Sequence, residues 1–474
     1  MILVYTLHAF LNLKRWVILM ERKKVLGFWD LTLFTFCAIF GVEAIATSAA
    51  IGPSALSWWL ICIVGYFLPF SLIAAELGAT YPEQGGIYVW IRRAFGDKWA
   101  ARSTWYYWVS LPVWLPAIYI AITEMVAHIF FPGIRLWMQV LVGVVMVWIA
   151  VGINLCPLRI AKLVPNFGSI TRFLVLIGVL LAAVIYFFKH GHFANHLHMS
   201  DIMPSFNAAI VFIPIIMYNL LGCELISGAA GEMKNPARDV PRAIISSALI
   251  IATLYLLTTL AVWVVVPIAD INVASGLLQV VTITFHGHDF SHAILVVLGF
   301  LIVATLFAGI ITWNLGENRT VAEAARNRVL PKVLGTMTKG MVPIGAAIVS
   351  GIISTVVIIF YGCIAKNAAE LFWHVISFCL IVTLFSYLIL FPAFIVLRKK
   401  DQAIKRPYRI PGPDWFAILL ALIAELFVLL TVVVLIMQPG HDFMRIALPV
   451  IVGVIITVLV GEVFIARSIK KASR

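Results

Sequence analysis

Charge is scarce in this sequence. Only 12% of the 474 residues are Asp, Glu, Lys or Arg, against about a quarter in soluble domains. That scarcity excludes a soluble enzyme, a nucleic-acid binder and a disordered chain. Organised cysteine is also missing. The six cysteines (Cys37, Cys62, Cys156, Cys223, Cys363, Cys379) are scattered and form no CxxC pair, so neither a disulfide framework nor a thiolate metal site is implied. They read as small core residues. No nucleophile elbow, phosphate loop or HExxH occurs, so the chain is not read as an enzyme and asks for no cofactor and no metal. No Gly/Ser linker or low-complexity tract marks off a separate soluble domain.

Apolar sequence fills the chain instead, at 63% of residues. A bilayer crossing needs about 20 predominantly apolar residues. Runs of that kind fall at 29–52, 56–80, 99–130, 136–154, 166–188, 206–231, 239–267, 290–318, 343–362, 368–397, 413–437 and 443–466. The expected fold is therefore an all-α integral membrane protein of twelve transmembrane helices. Segment 1–28 precedes them, and 467–474 is a short tail. With the N-terminus inside, every Lys and Arg except Arg135, Lys189, Lys366 and Arg445 falls on or near the cytoplasmic side. Lys/Arg bias sets orientation, so a multi-pass inner-membrane protein with both termini cytoplasmic is expected. The net charge of +13 reads as topology and contact with anionic lipid rather than nucleic acid. Between spans 2 and 3, Gly85–Phe95 is amphipathic and too short to cross. It is expected at the inner interface, with Trp and Tyr at headgroup depth and Arg outward.

Ten spans can form two halves of five, 29–188 and 206–397, with 413–466 as two additional helices. An odd repeat must enter the membrane from opposite sides, and inverted repeats place a binding site near the midplane at discontinuous helices. Spans 1 and 6 both carry an interruption. Phe40–Pro53 is FGVEAIATSAAIGP, and Tyr218–Gly228 is YNLLGCELISG. Each breaks a bulky apolar run with glycine, small residues and one acid.

Four stretches resemble the amino acid–polyamine–organocation superfamily of transporters: AELGATYPEQGGIYVWIRRAFG (Ala75–Gly96), YNLLGCELISGAAGEMKNPARDVPRAI (Tyr218–Ile244), WNLGENRTVAEAARNRVLP (Trp313–Pro331) and KRPYRIPG (Lys405–Gly412). Within it, the resemblance is to the bacterial glutamate:GABA antiporter group, carried by Ile45–Ala49, Trp313 and PIADINVASGLLQ (Pro267–Gln279). It implies a leucine-transporter-like 5+5 inverted repeat plus two helices. The implied activity is secondary transport of an amino acid, as an antiporter or a proton-coupled permease. A polyamine transporter and a non-transporting sensor are the alternatives. Two departures stand out. The superfamily's Gly-Ser/Ala-Gly signature in span 1 is replaced by Ala-Thr-Ser-Ala, and Gly309 stands where the glutamate exchangers carry an acid.

A zwitterion's carboxylate suits the free N–H groups at the start of a half-helix, here expected at Ala46, Thr47, Ser48 and Ala49. Its ammonium suits carbonyls near Tyr218–Leu221, with Gly222 and Cys223 beside them. Glu43 and Glu224 either accept a proton, contact a cationic substrate, or cap freed backbone N–H groups. The resemblance places Arg172 at the sodium site of sodium-coupled cousins, as a permanent surrogate for the ion; the alternative is an arginine snorkelling to headgroups. Trp313 either walls the site or is a packed aromatic. Glu76, Pro82, Gly85 and Gly86 are expected to anchor the inner interface, and Glu124 and Glu425 have no assigned partner. Nine histidines fall at or near the outer face: His128, His190, His192, His196, His198, His286, His288, His292 and His441. They read as an acid sensor or as solvated loop residues. The expected partners are a small amino acid or amine, a proton and membrane lipid.

Overall fold

The computed structural model describes residues 24–130, 135–195, 198–204, 206–272, 276–287, 291–338, 340–364, 368–437 and 447–472, without the side chains of 43, 124, 127–130, 206–211, 291–292, 361–364, 368–374 and 472. Helices dominate because an apolar run in lipid must satisfy its backbone within itself. Span 1 is two half-helices, 1a (Phe28–Ile39) and 1b (Glu43–Ile51), bent by 45°. Span 2 is Ala55–Thr80, span 3 Asp97–Phe130, span 4 Leu136–Asn154 and span 5 Leu163–His190. Span 6 is an α-helical half, 6a (Phe206–Tyr218), and a 3₁₀ half, 6b (Leu225–Glu232). Spans 7 to 12 are Pro236–Val265, Ser291–Arg326, Ile344–Ile364, Ala368–Lys400, Asp414–Met437 and Leu448–Ala472.

Among the described residues, nine helices are long and apolar enough to cross a membrane, and the bent pair 1a/1b makes ten. The other two expected crossings are span 6, which is divided, and the 21-residue helix of span 9. Span 3 packs along span 10, and span 8 packs along span 5. These two pairs exchange when spans 1–5 are swapped for spans 6–10, as a five-plus-five repeat requires. Spans 3 and 8 also pack on each other and run through the middle of the bundle.

The connection after span 2 folds as a short helix, Ile87–Phe95, with Arg92 and Arg93 exposed. Tyr88 and Trp90 are buried in protein rather than facing outward. The cause is the Gly85-Gly86 pair. Both adopt positive φ, and a Cβ on Gly86 would lie 3.0 Å from the backbone of Gly228. Glycine alone permits that approach, and it draws the short helix against 6b.

The Lys/Arg-rich end of the bundle is held by paired charges. Glu76, fully buried at the end of span 2, accepts from Arg398 (2.9 Å), Arg406 (2.9 Å) and the Ile410 N–H (2.7 Å). Arg398 reaches on to Asp414 at 2.8 Å. Tyr81 donates to Asp401 at 2.9 Å. Burial and that acceptor push the Tyr81 hydroxyl up to about 12, so it stays a donor at neutral pH. Arg319 of span 8 pairs with Glu232 at 3.0 Å. The Glu232 carbonyl accepts the N–H groups of Val25 and Leu26, which ties the approach to span 1 onto the end of 6b.

Candidate functional site: a cavity between two broken helices

Both expected interruptions are present. Span 6 unwinds from Asn219 to Glu224, where its sequence places it. Span 1 unwinds at Phe40-Gly41-Val42, the start of the expected Phe40–Pro53 interruption. Ala46, Thr47, Ser48 and Ala49 lie inside half-helix 1b and do not line the cavity. Their small size serves packing instead. Ala46 faces Gly276 of the short helix Gly276–Thr284, where a Cβ would come within 2.7 Å. Ser48 accepts from the Trp59 indole at 3.2 Å, and the Ala49 carbonyl accepts from the Trp263 indole at 2.9 Å.

An unwound backbone in a membrane must find partners elsewhere. Tyr255 of span 7 supplies them to both breaks. Its hydroxyl accepts the Gly41 N–H at 2.8 Å and lies 3.3 Å from the carbonyls of Ile39 and Asn219. A hydroxyl has one proton, so it donates to one of the two at a time. The ring is held between Phe40 and Trp59 by stacking at 4.3 and 4.2 Å.

Residues of spans 1, 3, 5, 6, 8 and 10 line a cavity of about 80 Å³. Its aromatic wall is Trp114, Tyr218 and Trp313. The Trp114 ring lies edge-on to both others, at 5.7 Å from Tyr218 and 6.1 Å from Trp313. Trp313 donates to the Ala38 carbonyl at 2.8 Å, just before the span 1 break. Gly222, with φ +109°, leaves room for the same ring; a Cβ there would lie 3.0 Å from it. Trp313 thus touches both broken helices and lines the cavity.

Arg172 lines the other end. It is 3% exposed and gives four hydrogen bonds to neutral oxygens: Thr305 Oγ1 (2.9 Å), Cys37 O (2.7 Å), Phe36 O (3.2 Å) and Thr305 O (3.2 Å). The side chain binds span 5 to 1a and span 8, and it does not snorkel to headgroups. Gly309 makes room for it, since a Cβ there would sit 3.4 Å from the guanidinium.

Glu224 lies one layer behind the lining. Its Oε1 accepts from Tyr107 (2.6 Å) and Tyr387 (2.8 Å), joining the span 6 break to spans 3 and 10. Cys223 packs against Ser71 of span 2 at 3.1 Å. The Glu43 and Glu124 side chains lie outside the described residues, and Glu425 of span 11 does not line the cavity. His190, His192, His198 and His286 are exposed. His196, His288 and His441, and the side chains of His128 and His292, lie outside the described residues.

Reading the sequence missed Glu317. It lines the cavity from span 8, 2% exposed. The available signal was spacing: Gly309, Trp313 and Glu317 recur at four-residue intervals and share one helix face. Trp114, Tyr107, Tyr387 and Tyr255 were also missed. Their partners are more than a hundred residues away, except for the Tyr255–Asn219 contact, and no local motif marks them.

Comparison with known proteins agrees with this architecture. The amino acid permease family matches residues 26–460. The probable agmatine/putrescine antiporter AguD of Lactococcus lactis subsp. lactis (strain IL1403) is 30% identical over 456 residues, covering 94% of this chain and 96% of the relative. An uncharacterized transporter of Legionella pneumophila is 28% identical over 398 residues, 83% of this chain and 85% of the relative. A glutamate/gamma-aminobutyrate antiporter of the same Lactococcus strain is 24% identical over 411 residues, 83% of this chain and 80% of that protein.

Proposed function

The chain belongs to the amino acid permease family, and on that premise we propose that it exchanges an amino acid or its derived amine for a related one across the inner membrane by alternating access. The observation that carries this reading is the cavity bounded by two interrupted helices and walled by Trp114, Tyr218 and Trp313. Backbone carbonyls at the breaks are acceptors for an ammonium group. Aromatic faces attract the same group by about 0.5–2 kcal/mol each where it is desolvated. The likeness to a probable agmatine/putrescine antiporter and a glutamate/gamma-aminobutyrate antiporter supports exchange of amine-bearing substrates.

Each charged element has a part in this scheme. Arg172 holds 1a against spans 5 and 8 as a fixed cation. Its guanidinium takes the place of an exchangeable ion and makes the cycle sodium-independent. Tyr107, Glu224 and Tyr387 join the span 6 break to spans 3 and 10. The five-helix units 29–188 and 206–397 move against each other, and 413–466 flanks them. The Lys/Arg-rich end faces the cytoplasm, which puts both termini there.

Counterflow in proteoliposomes tests the proposal. Vesicles loaded with an unlabelled amine or amino acid should take up labelled substrate equally well with and without sodium. Sodium-dependent uptake would remove the Arg172 assignment. Binding without any counterflow would replace the transporter with a sensor.

A further inference from the structure

We infer that Glu317 takes the far cationic group of a dicationic substrate whose near ammonium lies at the two helix breaks. The inference deepens the exchange reading above and rests on it. A buried carboxylate is normally paired or hydrogen-bonded. At the Lys/Arg-rich end this holds: Glu76 has three donors. Among the described residues no donor reaches Glu317, and its Oε2 is sealed from solvent without a partner.

The neighbouring hydroxyls are already committed. Thr383 donates to Ser110 at 2.7 Å, and Ser110 donates to the Tyr107 carbonyl at 3.1 Å. Ser110 and Thr383 line the cavity with Glu317 and have no proton left for it. The cavity therefore holds a carboxylate that needs a cation with its own N–H donors. Among the described residues no set of three or more His, Cys, Asp or Glu side chains could hold a metal there.

Position along span 8 sets the ligand's shape. Gly309 marks the Arg172 end, and Glu317 is eight residues further, about 12 Å along the axis. The cavity thus has a guanidinium at one end and a carboxyl group at the other. Trp313 stands between them, at the level of both breaks. From Trp313 to Glu317 is about 6 Å of helix rise, the reach of a short diamine. An ammonium at the breaks leaves its partner cation beside Glu317, and a carboxylate on the same carbon chain would meet Glu317 as a like charge.

The test compares three four-carbon ligands that differ only at the far end: 1,4-diaminobutane, n-butylamine and 4-aminobutanoate. Binding is measured on the full-length protein in lipid nanodiscs, and counterflow in parallel. The wild type should prefer 1,4-diaminobutane over n-butylamine by about tenfold or more, a charge-assisted pair's worth. In Glu317→Gln that preference should collapse to within about threefold, with 4-aminobutanoate improved. A wild type without the preference, or E317Q that keeps it, overturns the assignment. A pH dependence that changes while the preference persists overturns it as well. If E317Q fails to fold, Glu317→Asp decides. Its shorter arm should move the preference to 1,5-diaminopentane, and an unmoved preference overturns the inference. A wild type that binds with the preference but exchanges nothing overturns the exchange reading and leaves Glu317 in place.

Discussion

Buried charge is treated in opposite ways at two places in this molecule. At the Lys/Arg-rich end, Glu76 meets two arginines and a backbone N–H, and Arg319 meets Glu232. In the cavity, Arg172 meets only neutral oxygens and Glu317 meets no described donor. The first region lies at the ends of spans and in the loop after span 10, and the second lies inside spans 5 and 8. The first arrangement gives each carboxylate a cation, though one guanidinium nitrogen each of Arg319 and Arg398 lacks a partner among the described residues, and it fixes the loop after span 10 against span 2. The second leaves charge unanswered beside empty space, which is a costly way to build a core. Charge left open in this way suits a ligand, and charge paired within the protein suits the scaffold.

Removing a paired charge should therefore cost stability first. Glu76→Gln leaves Arg398 and Arg406 without a carboxylate inside the protein. Breaking one partner of a buried pair costs about 3–5 kcal/mol, and two arginines share this acid. Folded yield and thermal unfolding in detergent should both fall sharply. A Glu76→Gln protein with wild-type unfolding would erase the distinction between the two regions.

Arg172 should behave differently, because it holds 1a against spans 5 and 8 beside the cavity. Arg172→Met leaves the Phe36, Cys37 and Thr305 oxygens short of donors, at about 1–3 kcal/mol for each one left dry. Counterflow should drop by about ten- to a hundredfold. Arg172→Lys keeps the charge but loses the fork that reaches four oxygens, so it should restore only part of the rate. Full recovery in the lysine variant would show that charge alone matters there.

Within the cavity, Trp313→Ala sharpens the contrast further. It removes the wall and the bond to the Ala38 carbonyl at the span 1 break. Substrate affinity should weaken by about tenfold, the worth of one desolvated cation–aromatic contact. Trp313→Phe keeps a ring and should recover most of it. Equal losses in both variants would make Trp313 a strut between helices rather than a wall.

These contrasts also show what could be read in advance. The spans and both interruptions were legible because lipid imposes long apolar runs and glycine breaks them. The span 6 break stands where Tyr218–Leu221 predicts it. The span 1 break stands at the start of the Phe40–Pro53 interruption, but Ala46–Ala49, expected to grip the carboxylate there, are helical, and the reason is physical. Small residues permit both unwinding and close helix packing, and at Ala46–Ala49 the second use prevails. The actual break needs Gly41 and the hydroxyl of Tyr255, 214 residues away, which no local pattern links. Glu317 was hidden because it sits in the polar tail of span 8, where an acid usually meets water. Only its four-residue spacing from Trp313 hinted otherwise.

The smallest effect is expected in the His-rich loop after span 5, and there the same contrast applies to neutral groups. Asn195 is tied down: its amide donates to the carbonyls of Trp263 and Val266 at 2.7 and 2.8 Å, and its oxygen accepts the Ile268 N–H at 3.0 Å. His190, His192 and His198 stand exposed in the same segment. The loop is positioned by the asparagine, whose bonds are worth about 1 kcal/mol each. Asn195→Ala should lower the unfolding temperature by a few degrees. Replacing His190, His192, His196 and His198 together with glutamine should leave both stability and the pH profile of exchange unchanged. A shifted acid limb in the quadruple variant would mean that these side chains sense protons, and the segment would then join the cavity as a place where exposed charge has a task.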